Sequence, residues 1–135
     1  MANTVFDSSA VLALLFDEPA AEQVEQLLSQ AVDQGREVYI SAVNWTEVLH
    51  RVRQIQGDAG VKAAKQFEHE TTLAVVDADR ELAELAAELK SSYRLSIGDA
   101  YCAALAKHMK GVLVTGDQEF KPLESQFRKI VWLNR

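Results

Sequence analysis

The sequence predicts an α/β fold, a three-layer α/β/α sandwich around a parallel sheet of about five strands, and three observations carry that expectation. Short apolar runs alternate with amphipathic helical stretches along the whole chain, the pattern of a sheet covered on both faces. Acids follow two of those runs, Asp7 after Thr4-Val5-Phe6 and Asp117 after Val114-Thr115-Gly116, where the carboxyl ends of parallel strands open onto one crevice. With 135 residues, 48% apolar and 25% charged, the chain suits a single domain over 1–135 with core enough to fold. It carries no internal repeat and no linker.

Thr4-Val5-Phe6 is the first strand. After Asp7, Ser8 or Ser9 is placed to cap a short apolar helix through Val11, Leu12, Leu14 and Leu15, which Asp17-Glu18-Pro19 ends. Pro19 suits the first turn of the second helix. That helix carries Ala20, Val24, Leu27, Leu28 and Ala31 near the 3.6-residue period, and Gly35 is placed to close it. Val38-Tyr39-Ile40 reads as the second strand and Ser41 as the N-cap of a third helix, with Trp45, Val48, Leu49 and Val52 on its buried stripe. Glu47 lies off that stripe. Gly57-Asp58-Ala59-Gly60 breaks the helix, and a further helix covers Val61 to about Glu70.

Leu73-Ala74-Val75-Val76 is the third strand. Asp79 caps a helix with Leu82, Leu85, Ala86 and Leu89 inward and Glu81, Glu84, Glu88 and Lys90 toward water. A sixth helical stretch opens at about Asp99, runs through Ala100, Ala103, Ala104 and Ala106 to Met109, and is terminated by Gly111. Val112-Leu113-Val114 is the fourth strand, and Ile130-Val131-Trp132-Leu133 is the fifth, expected at an edge of the sheet.

Four acids stand at matched places in this scheme: Asp7 and Asp117 at strand ends, Asp99 at a helix start, and Glu47 about two turns into a helix. Carboxylates are hard oxygen ligands that leave coordination positions open, so their convergence would suit Mg²⁺ or Mn²⁺. Four ionised carboxylates about 5 Å apart cost roughly 3 kcal/mol per pair at an effective dielectric near 20, a repulsion that a divalent ion converts into affinity. Ser9, two residues after Asp7, and Thr115, two before Asp117, could each position a ligand or a water. Each residue also has a structural alternative. Asp7 and Asp99 could be N-caps, Glu47 a solvated helix residue, Asp117 a turn residue, Ser9 a cap and Thr115 an ordinary strand end.

The formal charge is 14 − 20 = −6, which alone argues against a broad basic surface. Setting the four acids aside leaves 14 − 16 = −2, and basic residues cluster at Arg51/Arg53, Lys107/His108/Lys110 and Lys121/Arg128/Lys129. A nucleic-acid substrate therefore stays open. The single cysteine, Cys102, permits no internal disulfide and reads as a small buried thiol. His50, His69 and His108 read as surface residues, with His50 beside Glu47. No long apolar segment suggests a leader or a membrane span, so a soluble cytoplasmic protein is expected.

The order of the pieces is more informative than any one of them. Val-Phe-Asp-Ser-Ser-Ala-Val-Leu, Ile-Ser-Ala-Val-Asn-Trp-Thr-Glu-Val, Ile-Gly-Asp-Ala-Tyr-Cys-Ala-Ala-Leu-Ala and Val-Leu-Val-Thr-Gly-Asp-Gln-Glu-Phe together resemble the PIN-domain family, in particular the VapC-type toxin ribonucleases of type II toxin–antitoxin systems. The resemblance implies the strand order 3-2-1-4-5, with Asp7 and Asp117 on adjacent strands. It also implies a Mg²⁺- or Mn²⁺-dependent endoribonuclease in which metal-activated water attacks an RNA phosphodiester in line. Asp7, Glu47, Asp99 and Asp117 match the family's four metal acids in order, and Ser9 and Thr115 match its accessory hydroxyls. A small VapB-like antitoxin covering the acidic cleft and pairing of the chain with itself are implied as well, with Trp45, Phe16 and Trp132 as interface candidates and core packing the alternative for Trp45.

The same residues admit competing readings. A receiver-like phosphoacceptor also uses an early Asp, a late Thr and a Lys-Pro, here Lys121-Pro122, but wants an acidic pair at the first strand that Asp7 lacks. A haloacid-dehalogenase-type phosphatase wants a second Asp where Ser9 stands. A non-catalytic acidic module that receives a basic peptide needs none of this chemistry.

Overall fold

The computed structural model of the protein describes residues 2–134; Met1 and Arg135, the two ends of the expected 1–135 domain, lie outside the described residues. Five strands, β1 (Thr4–Phe6), β2 (Val38–Ser41), β3 (Leu73–Val76), β4 (Val112–Thr115) and β5 (Lys129–Trp132), alternate with α1 (Ser8–Leu15), α2 (Ala21–Asp33), α3 (Ala42–Glu70), α4 (Arg80–Ser92) and α5 (Ile97–His108). A 3₁₀ segment, Gln118–Gln126, joins β4 to β5. The sheet is ordered β3-β2-β1-β4-β5 and every pairing is parallel. Phe6 pairs with Val114, so the residues that follow β1 and β4 emerge side by side. In a receiver-like sheet β1 would neighbour β3; here β3 is an edge strand with β2 between, which removes that alternative.

Period-two alternation distributes the strand side chains between two cores. Phe6, Val38, Ile40 and Val114 pack against α1, α2 and α3. Val5, Leu113 and Ile130 pack against α4, α5 and the 3₁₀ segment, where Phe120 and Leu123 are fully buried. Helices thus cover both faces, as three layers require. Trp45 and Phe16 pack onto the first core and Trp132 onto the second, all partly buried. Among the described residues no helix is long and apolar enough to cross a membrane.

Several element ends differ from the sequence expectation, each for a local reason. Asp7 itself caps α1, accepting from the Ala10 N–H at 3.2 Å, and neither Ser8 nor Ser9 does so. Pro19 precedes the Ala20 cap of α2 and does not enter its first turn. α5 begins at Ile97 and not at Asp99, because Ser96 caps it through the Asp99 N–H at 3.1 Å. The break in α3 is a kink at Gly57, where φ is 69°, and the helix resumes directly after it. α5 ends in a Schellman turn whose left-handed residue is Lys110 (φ 52°) and not Gly111; Gly111 N–H returns to Ala106 O at 2.9 Å. Gly111 is required for a different reason: a Cβ there would stand 2.6 Å from the Asn3 carbonyl oxygen. β5 is shifted one residue toward the N-terminus, and the 3₁₀ segment before it has no counterpart in the sequence expectation.

Candidate functional site

Asp7 leaves β1 at the centre of the sheet and is only 3% exposed. Its two oxygens are held by separate hydroxyls. Ser9 donates to Oδ1 at 2.6 Å and Thr115 donates to Oδ2. Each hydroxyl also accepts from the loop after β4, Ser9 from Gly116 N–H at 3.2 Å and Thr115 from Asp117 N–H at 2.9 Å. The two accessory residues therefore connect the first acid to the loop that carries the fourth. Asp117 is itself turned by accepting the Glu119 N–H at 2.9 Å as cap of the 3₁₀ segment. The capping alternative for Asp7 and the turn alternative for Asp117 are thus realised without removing either carboxylate from the crevice, whereas the capping alternative for Asp99 is not, Ser96 being the cap of α5.

Glu47 is placed by a residue the sequence reading passed over. Asn44, 1% exposed, donates from Nδ2 to Glu47 Oε1 at 2.9 Å and to the Gly98 carbonyl at 3.0 Å, while its Oδ1 accepts from Ser41 at 2.5 Å. One amide thereby ties the start of α3 to the start of α5, next to Asp99. Gly98 allows the close approach: a Cβ there would stand 2.2 Å from Glu47 Oε2. The only local trace of this arrangement is an Asn three residues before a Glu on one helix; its other half spans 54 residues.

The electrostatics place all four acids in one field. Asp99 is raised from its usual 3.8 to about 8, first by burial, then by hydrogen bonding with Asp117, then by the charges of Asp117, Asp7 and Glu47. Asp7 is raised to about 6 by burial, a rise that hydrogen bonds from Ser9, Thr115 and Ala10 limit and the charge of Asp117 adds to. Cys102, fully buried, is pushed well above its usual value by burial and then by the same four carboxylates. The thiol is structural and sits within reach of their field.

Among the described residues, no three acidic, histidine or cysteine side chains are gathered closely enough to surround one ion. Asp7 is spoken for by its hydroxyls and Glu47 by Asn44, so the acids share a mouth without closing on a common point. In donor chemistry they fit a hard divalent cation, since they offer carboxylate oxygens only, and burial, with their acidic neighbours adding to it, makes Asp7 and Asp99 costly to ionise. The basic cluster Lys107/His108/Lys110 does not border them. It lies at the opposite end of α5, roughly 13 Å along the axis from Asp99, with His108 near Glu81 and Lys107 bonded to Gln126. Arg51 is one turn beyond Glu47, and Lys121 is four residues past Asp117.

Comparison with known proteins gives a family and a set of shapes. Residues 4–124 match the PIN domain. Similar solved structures include VapBC2 from Rickettsia felis bound to a DNA fragment from its promoter, at 13% identity and TM-score 0.79 over 97% of this chain and 98% of that one. DNA-bound VapBC from Salmonella typhimurium is 17% identical at TM-score 0.78, again over 97% and 98%. VapC20 from Mycobacterium tuberculosis, a sarcin–ricin loop cleaving toxin, is 17% identical at TM-score 0.72 over 90% and 95%. At such identities the likeness is one of fold. No curated protein sequence matches the chain.

Proposed function

Because this chain belongs to the PIN-domain family, we propose that it is a Mg²⁺- or Mn²⁺-dependent endoribonuclease, the toxin of a VapBC-type toxin–antitoxin pair. One observation carries the reading: Asp7, Glu47, Asp99 and Asp117 share one field at the carboxyl edge of the two central strands. The description of one neighbour as a sarcin–ricin loop cleaving toxin supports RNA as the substrate, and toxin–antitoxin complexes among the neighbours support a small antitoxin as partner. A homodimer and a cytoplasmic location belong to the same reading.

The acids would hold the ion, Asp7 and Asp99 as its first ligands, Glu47 from α3 as the next and Asp117 as ligand or water-holder. Bound there, a divalent cation supplies Lewis acidity to the phosphodiester and lowers the pKa of an attacking water. The chain's own contribution is orientation. Ser9 and Thr115 fix both oxygens of Asp7, and Asn44 fixes one oxygen of Glu47, so each of these carboxylates is held in a single orientation at the mouth of the crevice. Asp99, with the higher proton affinity of the two raised carboxyls, can hold a proton while the cleft lacks a cation.

The test is cleavage of structured RNAs, a sarcin–ricin hairpin among them, by purified protein with Mg²⁺ or Mn²⁺, beside Asp7→Asn and Asp99→Asn. Wild-type cleavage lost in both variants is the expected result. Equal cleavage by all three removes the proposed site. A second reading, a non-catalytic module whose acidic mouth receives a basic peptide, is favoured by the spread of the acids; no cleavage together with tight binding of such a peptide would select it.

A further inference from the structure

Beside the acids lies a cavity of about 340 Å³ between the end of α1 and the end of β5. We propose that it is the subsite for a guanine base of the RNA strand, adjoining the phosphodiester held at the acids; the assignment deepens the ribonuclease reading and rests on it. Ser9 and Asp117 line the cavity as well as the acid site, so an occupant lies directly next to the reacting group. Its size sits at the low end of the ~300–1,000 Å³ range of small-ligand sites, suited to one base and its sugar but not to a helix.

The lining chemistry selects the base. Ala13, Pro19 and Leu133 offer apolar surface, and the polar groups are the carboxylates of Glu18 and Asp117, the Ser9 hydroxyl and Asn134. None is basic, so the cavity does not suit a phosphate. A carboxylate only accepts hydrogen bonds when ionised, and it pairs best with two adjacent donors. Among RNA bases, guanine presents two such donors side by side, the N1–H and the N2 amino group. No hydrogen bond or ion pair engages the Glu18 side chain among the described residues.

Both walls are set before any ligand arrives. The chain leaves α1 through a Schellman turn in which Asp17 takes the left-handed conformation (φ 50°) and Glu18 N–H returns to Ala13 O at 2.8 Å. A non-glycine residue there costs about 1 kcal/mol, and the turn fixes the position of Glu18. Opposite, Leu133 N–H donates to Thr115 O at 2.9 Å, and Gln23 clamps the strand end, donating to Trp132 O at 3.1 Å and accepting from Asn134 N–H at 3.0 Å. Such preorganisation favours a ligand that must be read by shape and by a few polar groups.

The experiment is a ¹⁵N-NMR titration of the whole chain, in EDTA, with GMP, IMP, AMP and UMP, which share a phosphate and differ in the base. GMP is expected to move the amides of Ala13, Ala20 and Leu133 saturably, and IMP, lacking the N2 amino group, to bind about tenfold more weakly, the size of one hydrogen bond to a charged group. In Glu18→Gln, whose side chain is exposed and whose fold should persist, the GMP–IMP difference is expected to vanish. Equal shifts for all four nucleotides, unaltered by Glu18→Gln, overturn the assignment. So do shifts with arginine amide but with no nucleotide, which would give the cavity to a basic side chain of a protein partner. Cleavage reports separately: a chain that cuts RNA with a base preference unmoved by Glu18→Gln loses the guanine subsite and keeps the ribonuclease reading. A chain that cuts nothing yet discriminates GMP from IMP keeps the subsite and loses that reading.

Discussion

Asn44 donates one buried amide to both Glu47 and the Gly98 carbonyl, at 2.9 and 3.0 Å, so a single side chain sets the second acid against the turn that carries the third. Its amide oxygen is satisfied by Ser41. Truncation to alanine would remove the amide donor shared by Glu47 and the Gly98 carbonyl and leave the buried Ser41 hydroxyl proton without its acceptor, at a cost of about 1–3 kcal/mol. Glu47 would also lose its orientation. Asn44→Ala is therefore expected to melt several degrees lower and, below its melting range, to cleave RNA at least tenfold more slowly, with part of the rate regained at higher Mn²⁺. Melting curves and Mn²⁺ titrations of the cleavage rate check this; an unchanged rate per folded molecule would reduce Asn44 to a structural residue.

Gly98→Ala separates position from stability. The added methyl would meet the Glu47 carboxylate, the far end of a flexible side chain, so the acid can swing aside with the loss of its hydrogen bond from Asn44, at a stability cost of about 1 kcal/mol. Cleavage is expected to fall by roughly tenfold or more, because a misplaced group costs far more in rate than in folding. A large drop in melting temperature with normal activity would show that the clash is relieved in the backbone instead.

The contrast between Asn44 and Asp7 shows what a sequence can carry. Asp7, Asp117, Ser9 and Thr115 were legible because each sits at a fixed offset from a strand whose apolar run announces itself, and parallel strands bring such offsets together. Glu47 and Asp99 were legible chiefly from the order of motifs. Asn44's hydrogen bond to Gly98 was not, since it depends on how α3 packs against α5, and nothing local marks that pairing. The Lys110 and Asp17 turns escaped for another reason. A left-handed residue that is not glycine is chosen by the hydrogen bonds that close the helix, against its own conformational preference. The 3₁₀ segment is anchored by buried Phe120 and Leu123 without any helical period to reveal it.

Asp7 predicts a pH dependence with a definite sign. Its carboxyl titrates near 6 in the fold against 3.8 when unperturbed, so between those values the folded state binds more protons than the unfolded one. The group's contribution to stability is fully present below about pH 4 and is lost as pH rises through 6, on the order of 3 kcal/mol for a shift of two units. Metal-free Asp7→Asn is accordingly expected to melt higher than wild type at pH 8, with the difference shrinking toward zero at pH 4. Melting temperatures of the two proteins in EDTA across that range decide it; a constant difference would mean that Asp7 is charged throughout.

Divalent metal should reverse that ordering, because the same carboxylates are a liability without a cation and a binding site with one. An ion that binds only the folded chain stabilises it by about 2.7 kcal/mol at a hundred times its dissociation constant. Wild type is expected to melt higher as Mn²⁺ is added. Asp99→Asn removes the carboxyl that burial and its three acidic neighbours hold near 8. The cost of that carboxyl builds from about pH 4 and is complete near 8, so at pH 9 the variant should be the more stable protein in EDTA, yet at every pH it should gain less from Mn²⁺, and the two melting curves should cross as metal is added at pH 9. A control with Glu84→Gln, an acid on the outer face of α4 paired with Arg80, should follow wild type at every Mn²⁺ concentration. Parallel rises in all three proteins would mean that Mn²⁺ binds the surface at large, and the four acids would then have to be read as a receptor for positive charge of another kind.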